Sequence, residues 1–213
     1  MLTLHYSPGA CSLAPHILLH EVGATFEKVL TSTSDGTTKT DAWKKINPKG
    51  RVPVLVIDGE HDVLTEVPAI SSYIASLAPN LQLMGRTAIE QARVLEWFNW
   101  LSGTMHGQAI AGMFRPYRFT DDEGAHPAIS AKAKLTLADG HTQIEARLHG
   151  QNWAIGDHFT VADPMLLFVM RMSNRLGFAM AENYPAYTTW AKRMETRPSV
   201  QKTLDAEQVS IWK

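Results

Sequence analysis

The sequence is poor in cysteine, in excess charge and in long apolar runs. Cys11 is the only cysteine among 213 residues, which excludes an intrachain disulfide, a Cys-x-x-Cys redox pair and a cysteine-rich zinc site. With 20 basic and 21 acidic side chains the net charge is −1, so nucleic acid and anionic membranes are not expected partners. The longest apolar runs, such as Met165–Met170, are too short to span a bilayer, and no basic segment followed by an apolar stretch opens the chain. These absences predict a cytoplasmic protein.

Residues 1–80 alternate short apolar strands with helical patterns, which is typical of a small mixed α/β unit. Asp58 and Gly59 supply a hairpin turn between the last two strands. The expected strands are Leu2–Tyr6, Phe26–Leu30, Val52–Ile57 and a strand ending near Leu64, and the expected helices are Leu13–Val22, Asp41–Ile46 and one from Thr65 or Glu66 to Pro79. A linker over residues 81–86 is expected to follow.

Residues 87–213 have helical periodicity throughout. Two long helices are predicted, one from residue 87 and one covering Ile129–Leu148, and two long helices imply a bundle. Thr160 with Asp163 forms a helix N-cap pair before the apolar Met165–Met170, which predicts that this helix lies at the centre of the bundle. The predicted fold class is α+β, with the mixed unit first and an all-α domain after it.

Cys11 is the first candidate for chemistry. It follows a strand and a turn, and Ser12 after it is a suitable helix N-cap. The sulfur is therefore expected at the positive end of a helix, where free N–H groups favour thiolate over thiol. The structural alternative is that a lone cysteine serves as a small buried hydrophobe.

Two further loci could bind a ligand. The helix starting at Glu66 offers free amides, beginning with that of Val67, to a carboxylate, and Glu66 itself could accept an ammonium. An α-amino acid end would match this pairing, although acidic residues in first helical turns commonly serve only the helix dipole. If the bond between Val52 and Pro53 is cis, the N–H and C=O of Val52 would face a peptide-like ligand.

These loci, in this order, resemble the glutathione transferases, and in particular the bacterial beta class. The most specific match is Tyr6–His16, which reads YSPGACSLAPH. Further matches cover essentially the whole chain, at Asn47–Pro53, Leu64–Glu66, Leu95–Trp97, Phe114–Pro116 and Phe159–Asp163. The resemblance implies a thioredoxin-like N-terminal domain that holds glutathione, an all-α C-terminal domain that shapes a pocket for electrophiles, and a homodimer. Glutathione would be a co-substrate, with no cofactor and no metal.

The resemblance also implies residue roles. Cys11 would face the glutathione sulfur, with His106 close enough to donate a hydrogen bond to a thiolate. The family's cis-proline is matched by Pro53. The residues implied at the glutathione site are Cys11, Val52, Pro53, Glu66, Val67, Asn99, Gly103 and His106, with Asn99 reaching the site of the neighbouring subunit. Tyr6 matches a tyrosine that the class does not use as its main thiol activator. Phe114 and Tyr117 would line a pocket for an apolar electrophile.

Two departures from the class weaken these roles. Gly107 stands where the class commonly has a lysine beside the sulfur, and Val67 stands where a small or hydroxylic residue usually contacts the γ-glutamyl carboxylate. The basic contact to the glycyl carboxylate is unassigned, with Lys39 and Arg51 as candidates.

Three functions remain open from the sequence. The first is conjugation of glutathione to small hydrophobic electrophiles, with the glutathione thiolate as nucleophile. The second is reduction of glutathione mixed disulfides with Cys11 as nucleophile. The third is a carrier of the same fold without turnover, for which Val67 and Gly107 are the best support. A metal at His16 and His20 is disfavoured because no Glu follows His16.

Overall fold

The computed structural model describes residues 1–213. A four-stranded sheet is built from β1 (Leu2–Tyr6), β2 (Phe26–Leu30), β3 (Val54–Ile57) and β4 (Leu64–Thr65), in the order β2-β1-β3-β4. Strand β1 pairs with β2 in parallel and with β3 antiparallel, and β3 pairs antiparallel with β4. The central pair Leu4 and Leu55 is fully buried, so the middle of the sheet is the core of this half.

Helices accompany the sheet and then form the rest of the chain. The α-helices are α1 (Leu13–Glu21), α2 (Asp41–Ile46), α3 (Val67–Ser76), α4 (Ala88–Asn99), α5 (Ala111–Phe114), α6 (His126–Leu148), α7 (Ala162–Arg175), α8 (Met180–Asn183), α9 (Pro185–Glu195) and α10 (Pro198–Glu207). Helix α4 starts where the sequence predicts, because the Thr87 hydroxyl accepts the N–H of Glu90 at 3.2 Å and so caps it. The predicted fold class, a thioredoxin-like unit followed by an all-α domain, is confirmed.

A π-helix over Trp100–Ile110 joins α4 to α5 without a break. Apolar spacing predicts an α-helix here, and a wider turn is not visible from such spacing. The π-helical register sets which side chains of this stretch face the sheet domain. π-helical turns are rare in proteins, and those that occur are often found at functional sites.

Helix α7 lies at the centre of the molecule, as its apolar sequence predicts. Every residue from Ala162 to Ser173 is buried. One continuous core includes Leu4 of the sheet, Ile17 of α1 and Phe168 of α7, so the two halves share their interior. No helix in the chain is long and apolar enough to cross a membrane.

Candidate active site

The loop between β1 and α1 carries Cys11 and is closed by a buried serine pair. The Ser12 hydroxyl donates to the Ser7 carbonyl at 3.1 Å and accepts the Ser7 N–H at 3.1 Å. Ser12 therefore does not cap α1 with its side chain, which corrects the sequence prediction. The helix begins at Leu13, two residues beyond Cys11, and the Cys11 carbonyl already accepts the N–H of Ala14.

Side chains of the all-α domain hold this loop in place through buried hydrogen bonds. The Glu207 carboxylate of α10 accepts the Gly9 N–H at 2.7 Å and the Nδ1–H of His16 at 2.8 Å. The Arg171 guanidinium of α7 donates to the Gly9 carbonyl at 2.8 Å. Gly9 has φ of +65°, and a Cβ there would lie 2.3 Å from Arg171 Cζ, so only glycine fits. The backbone beside Cys11 is thus held from both sides.

The surroundings of the half-buried Cys11 favour its thiol form, whereas the sequence predicts a thiolate. Burial raises the pKa of Cys11 to about 12, although a backbone N–H and the charges of Arg115 and Arg51 act in the opposite direction. Its Sγ donates to the Val52 carbonyl at 3.5 Å. The backbone N–H lowers the pKa of Cys11, as free N–H groups at a helix start would, but the loss of hydration has the larger effect.

Slow alkylation of Cys11 follows from this pKa. In the ligand-free protein at pH 7.5, iodoacetamide is expected to react at least about tenfold more slowly than with free cysteine, because very little thiolate is present. Mass spectrometry reads the rate directly, since there is one cysteine. The rate should keep rising beyond pH 9, and the same chain in denaturant is the control. A rate that levels off near pH 7 would contradict the buried thiol.

A cavity of about 270 Å³ lies between Cys11, the start of α3 and the π-helix, and is called the smaller cavity. The Val52–Pro53 bond on its wall is cis, and the Val52 N–H has no partner within the chain. Glu66 has φ of +70° and ends the turn into α3, whose first amide is that of Val67. Lys49 Nζ donates to Glu66 Oε1 at 2.7 Å and to the Thr65 hydroxyl at 2.9 Å.

His106 lines the smaller cavity from the π-helix. Its ring stands edge-on to Phe168, with centroids 5.0 Å apart. Burial, followed by the charges of Arg118, Arg115 and Arg51, lowers the pKa of His106 to about 4. The imidazole is therefore neutral at neutral pH and has one N–H to donate.

A second cavity of about 560 Å³ adjoins the first and is called the larger cavity. The two cavities share Cys11, Arg51, Val52, His106, Ala111 and Arg118. Phe114 and Tyr117 line the larger cavity, as predicted, together with Phe168 and Met172. The expectation of an apolar pocket is incomplete, because five cationic side chains also line it: Lys39, Arg51, Arg115, Arg118 and Arg175.

Eight of the ten residues named from sequence line one of these cavities. Asn99 and Gly103 do not, because both are exposed and Asn99 Nδ2 donates to the Leu95 carbonyl of its own helix at 2.9 Å. Their place in a neighbouring subunit's site stays a prediction. Tyr6 is buried in β1 and lines neither cavity.

Of the cavity arginines, Arg51 was a candidate from the sequence, and Arg115, Arg118 and Arg175 were missed. The lysine absent at Gly107 is offset by Arg51, Arg115 and Arg118, whose charges act on His106. Arg175 was also missed, although Phe168, Met172 and Arg175 recur at helical spacing on α7 and so share one face of it. Arg115 lies within the Phe114–Pro116 match, which drew attention to its aromatic neighbour only.

Comparisons with known proteins agree with this geometry. The glutathione S-transferase N-terminal domain family matches residues 2–76, and the C-terminal domain family matches residues 141–198. Glutathione S-transferase GstA of Escherichia coli O157:H7 is 32% identical over 208 residues, which cover 97% of this chain and 98% of that protein.

Solved structures give the same result. A glutathione transferase homologue from Sulfitobacter with bound glutathione superposes with a TM-score of 0.91 at 29% identity, covering 98% of this chain and 99% of the other. The bacterial beta class glutathione S-transferase of Sphingomonas chungbukensis gives a TM-score of 0.83 at 31% identity, with coverage of 98% and 100%. The chain belongs to the glutathione S-transferase family and is an enzyme of that type, similar to its bacterial beta class.

Proposed function

We propose that this enzyme transfers glutathione to small electrophiles, with glutathione in the smaller cavity and its sulfur beside Cys11. The observation that carries the proposal is that the cis Val52–Pro53 amide, the start of α3 and Cys11 face one cavity. The free N–H of Val52 would bind the cysteinyl part of glutathione. Glu66 and the Val67 amide would hold the γ-glutamyl ammonium and carboxylate, in place of the Lys49 contact that Glu66 makes in the free chain.

The charged and neutral groups around the two cavities favour a thiolate on glutathione rather than on Cys11. Neutral Cys11 and neutral His106 can each donate one hydrogen bond to an anionic sulfur, and Arg51, Arg115 and Arg118 add positive potential. The proton of the glutathione thiol leaves to solvent. The thiolate then attacks an electrophilic carbon, a C–S bond forms, and the leaving group departs with the electron pair of its bond.

Glutathione-dependent disulfide reduction is the second candidate, because Cys11 Sγ faces the same cavity. The Cys11 thiolate would attack the glutathione sulfur of a mixed disulfide, breaking its S–S bond and releasing the other thiol. A second glutathione thiolate would then attack the disulfide between Cys11 and glutathione, which frees Cys11 and forms oxidised glutathione. The raised pKa of Cys11 makes this the weaker candidate for the free enzyme. The carrier hypothesis loses its support, because the relatives are glutathione S-transferases and the cavity retains Cys11 and His106.

Cys11→Ala separates the two reactions. Conjugation of glutathione to 1-chloro-2,4-dinitrobenzene is expected to fall by no more than about tenfold, because one hydrogen bond to the thiolate is lost. Reduction of a glutathione mixed disulfide should disappear. Cys11→Ser, which keeps a donor, is the matched control, and calorimetry with glutathione shows that the site is intact. Loss of conjugation with unchanged glutathione affinity would show that activation of the bound glutathione thiol depends on Cys11, and absence of glutathione binding by the wild type would overturn the proposed function.

We further propose a cytoplasmic homodimer with a role in detoxification. A free thiol and a glutathione site suit a reducing compartment. The exposed positions of Asn99 and Gly103 leave them available to a second copy of the chain. Light scattering of the purified protein measures the assembly state, and a monomer would contradict the dimer.

A further inference from the structure

The larger cavity concentrates positive charge in a protein whose net charge is −1. Its lining includes five lysine or arginine side chains and no aspartate or glutamate. None of the five takes part in an ion pair, because every ion pair in the chain lies elsewhere. None of their charged groups donates a hydrogen bond to a carboxylate or a carbonyl of the chain. Four of the five side chains are exposed and Arg115 is half-buried, so water screens their charges in part, but like charges that share a cavity still repel one another.

The repulsion acts on ionisable groups of the same cavity. Burial and the charges of Arg115 and Arg51 lower the pKa of Arg118. Arginines also lower the pKa of His106 after burial. An anion in the cavity would relieve this repulsion, so the cavity favours binding of negative charge.

The carboxylates of a bound glutathione would pair with only some of these cationic side chains. Its γ-glutamyl carboxylate is assigned to the start of α3 in the smaller cavity. Its glycyl carboxylate needs one cation, and Lys39 and Arg51 are placed beside Thr38 and Gly50 on one side of the larger cavity. Arg115, Arg118 and Arg175 are then left without a carboxylate of glutathione to bind.

The guanidinium groups of Arg115 and Arg175 both lie close to the ring of Phe114. Their Cζ atoms lie 5.4 Å and 5.9 Å from the centroid of Phe114. Phe168 and Met172 supply further apolar surface. A planar guanidinium binds a carboxylate through two parallel hydrogen bonds, and beside an aromatic ring it favours a flat ligand that carries such a group.

We propose that the second substrate is an anionic electrophile, a flat apolar body bearing a carboxylate that Arg115 and Arg175 bind. The proposal rests on the proposed function and specifies its substrate class. The carboxylate is unchanged by the reaction, since the glutathione thiolate attacks a different carbon and the leaving group departs from that carbon. Arg115 and Arg175 are therefore specificity residues for this substrate.

Two glutathione conjugates test the proposal by binding alone. S-benzylglutathione and S-(4-carboxybenzyl)glutathione differ only in the carboxylate, and calorimetry on the full chain measures both. We expect the carboxylated conjugate to bind about tenfold more tightly, as one charge-assisted pair provides. Arg115→Gln and Arg175→Gln should each reduce this preference at least about threefold, and the double variant should remove it. S-benzylglutathione binding reports that each variant is folded.

Arg193→Gln is the matched control, because Arg193 is an exposed arginine of α9 that donates to the Asn152 carbonyl outside both cavities. It should leave the preference unchanged. Equal affinities for the two conjugates, or a preference that survives the double variant, would overturn the anionic substrate and leave glutathione transfer intact. Failure of glutathione and of both conjugates to bind would overturn the proposed function, and this inference with it.

Discussion

Replacing Glu207 by alanine is expected to lower the free energy of unfolding by about 3–5 kcal/mol, the usual cost of removing one partner from a buried ionic contact. The midpoint of thermal unfolding should fall by about 10 °C in a chain of this size. Glu207 is fully buried in its side chain and accepts hydrogen bonds from the Gly9 N–H and from His16. Its removal leaves both donors buried without an acceptor and leaves Arg171 without the carboxylate that attracts its charge.

Activity should fall with stability, because Gly9 lies in the loop that positions Cys11. Glu207→Gln tests this if the alanine variant does not fold. A glutamine can accept the Gly9 N–H and donate to Nδ1 of the other His16 tautomer, so the expected cost is only about 1–2 kcal/mol. Asp205→Ala, an exposed acidic residue of the same helix, should change stability by less than about 0.5 kcal/mol. Chemical denaturation of the three variants gives the comparison, and similar values for Glu207→Ala and Asp205→Ala would show that the buried contact contributes little.

The hydrogen bond between Glu207 and Gly9 also shows why part of the site could not be predicted from the sequence. The strand, turn and helix around Cys11 follow from local apolar patterns and turn residues, and the family resemblance identified the cis proline. Glu207 and Gly9 are separated by 198 positions, and no local pattern connects them. The hydrogen-bonded pair forms only because α10 packs against α1.

The direction of the pKa shift of Cys11 differs from the sequence prediction for a related reason. A helix start is a local property and can be read from a turn followed by apolar spacing. The burial that raises the pKa of Cys11 depends on side chains from the π-helix and from the Val52 segment, which are distant in sequence. The charge of the larger cavity likewise comes from four separate segments, around residues 39, 51, 115–118 and 175, none of which is a charge run.

The pairing of Thr160 with Asp163 was visible in the sequence, but it does not cap α7, because Val161 precedes the helix and no side chain caps its start. Loss of this pairing has the second large expected effect. Asp163 is fully buried and its carboxylate accepts three hydrogen bonds: from Thr160 N at 2.8 Å, Thr160 Oγ1 at 3.1 Å and Ala154 N at 3.0 Å. Burial raises the pKa of Asp163 to about 6 despite these donors, so the carboxylate is mainly ionised at neutral pH. It therefore fixes the start of the central helix and the loop before it.

Asp163→Ala is expected to destabilise the protein by about 3–5 kcal/mol, because it leaves the buried N–H and hydroxyl of Thr160 and the half-buried N–H of Ala154 without their acceptor. Asp163→Asn keeps the shape but turns an amide NH₂ toward one of these N–H groups, so it should cost about 2 kcal/mol. Asp157→Ala is the matched control from the same loop, since its exposed pair with Arg86 contributes at most about 1 kcal/mol. Denaturant unfolding measures all three, and a loss below about 1 kcal/mol in Asp163→Ala would show that these hydrogen bonds contribute little to stability. Because α7 carries Phe168, Met172 and Arg175 into the larger cavity, Asp163→Ala should weaken binding of S-benzylglutathione even at temperatures where the chain stays folded.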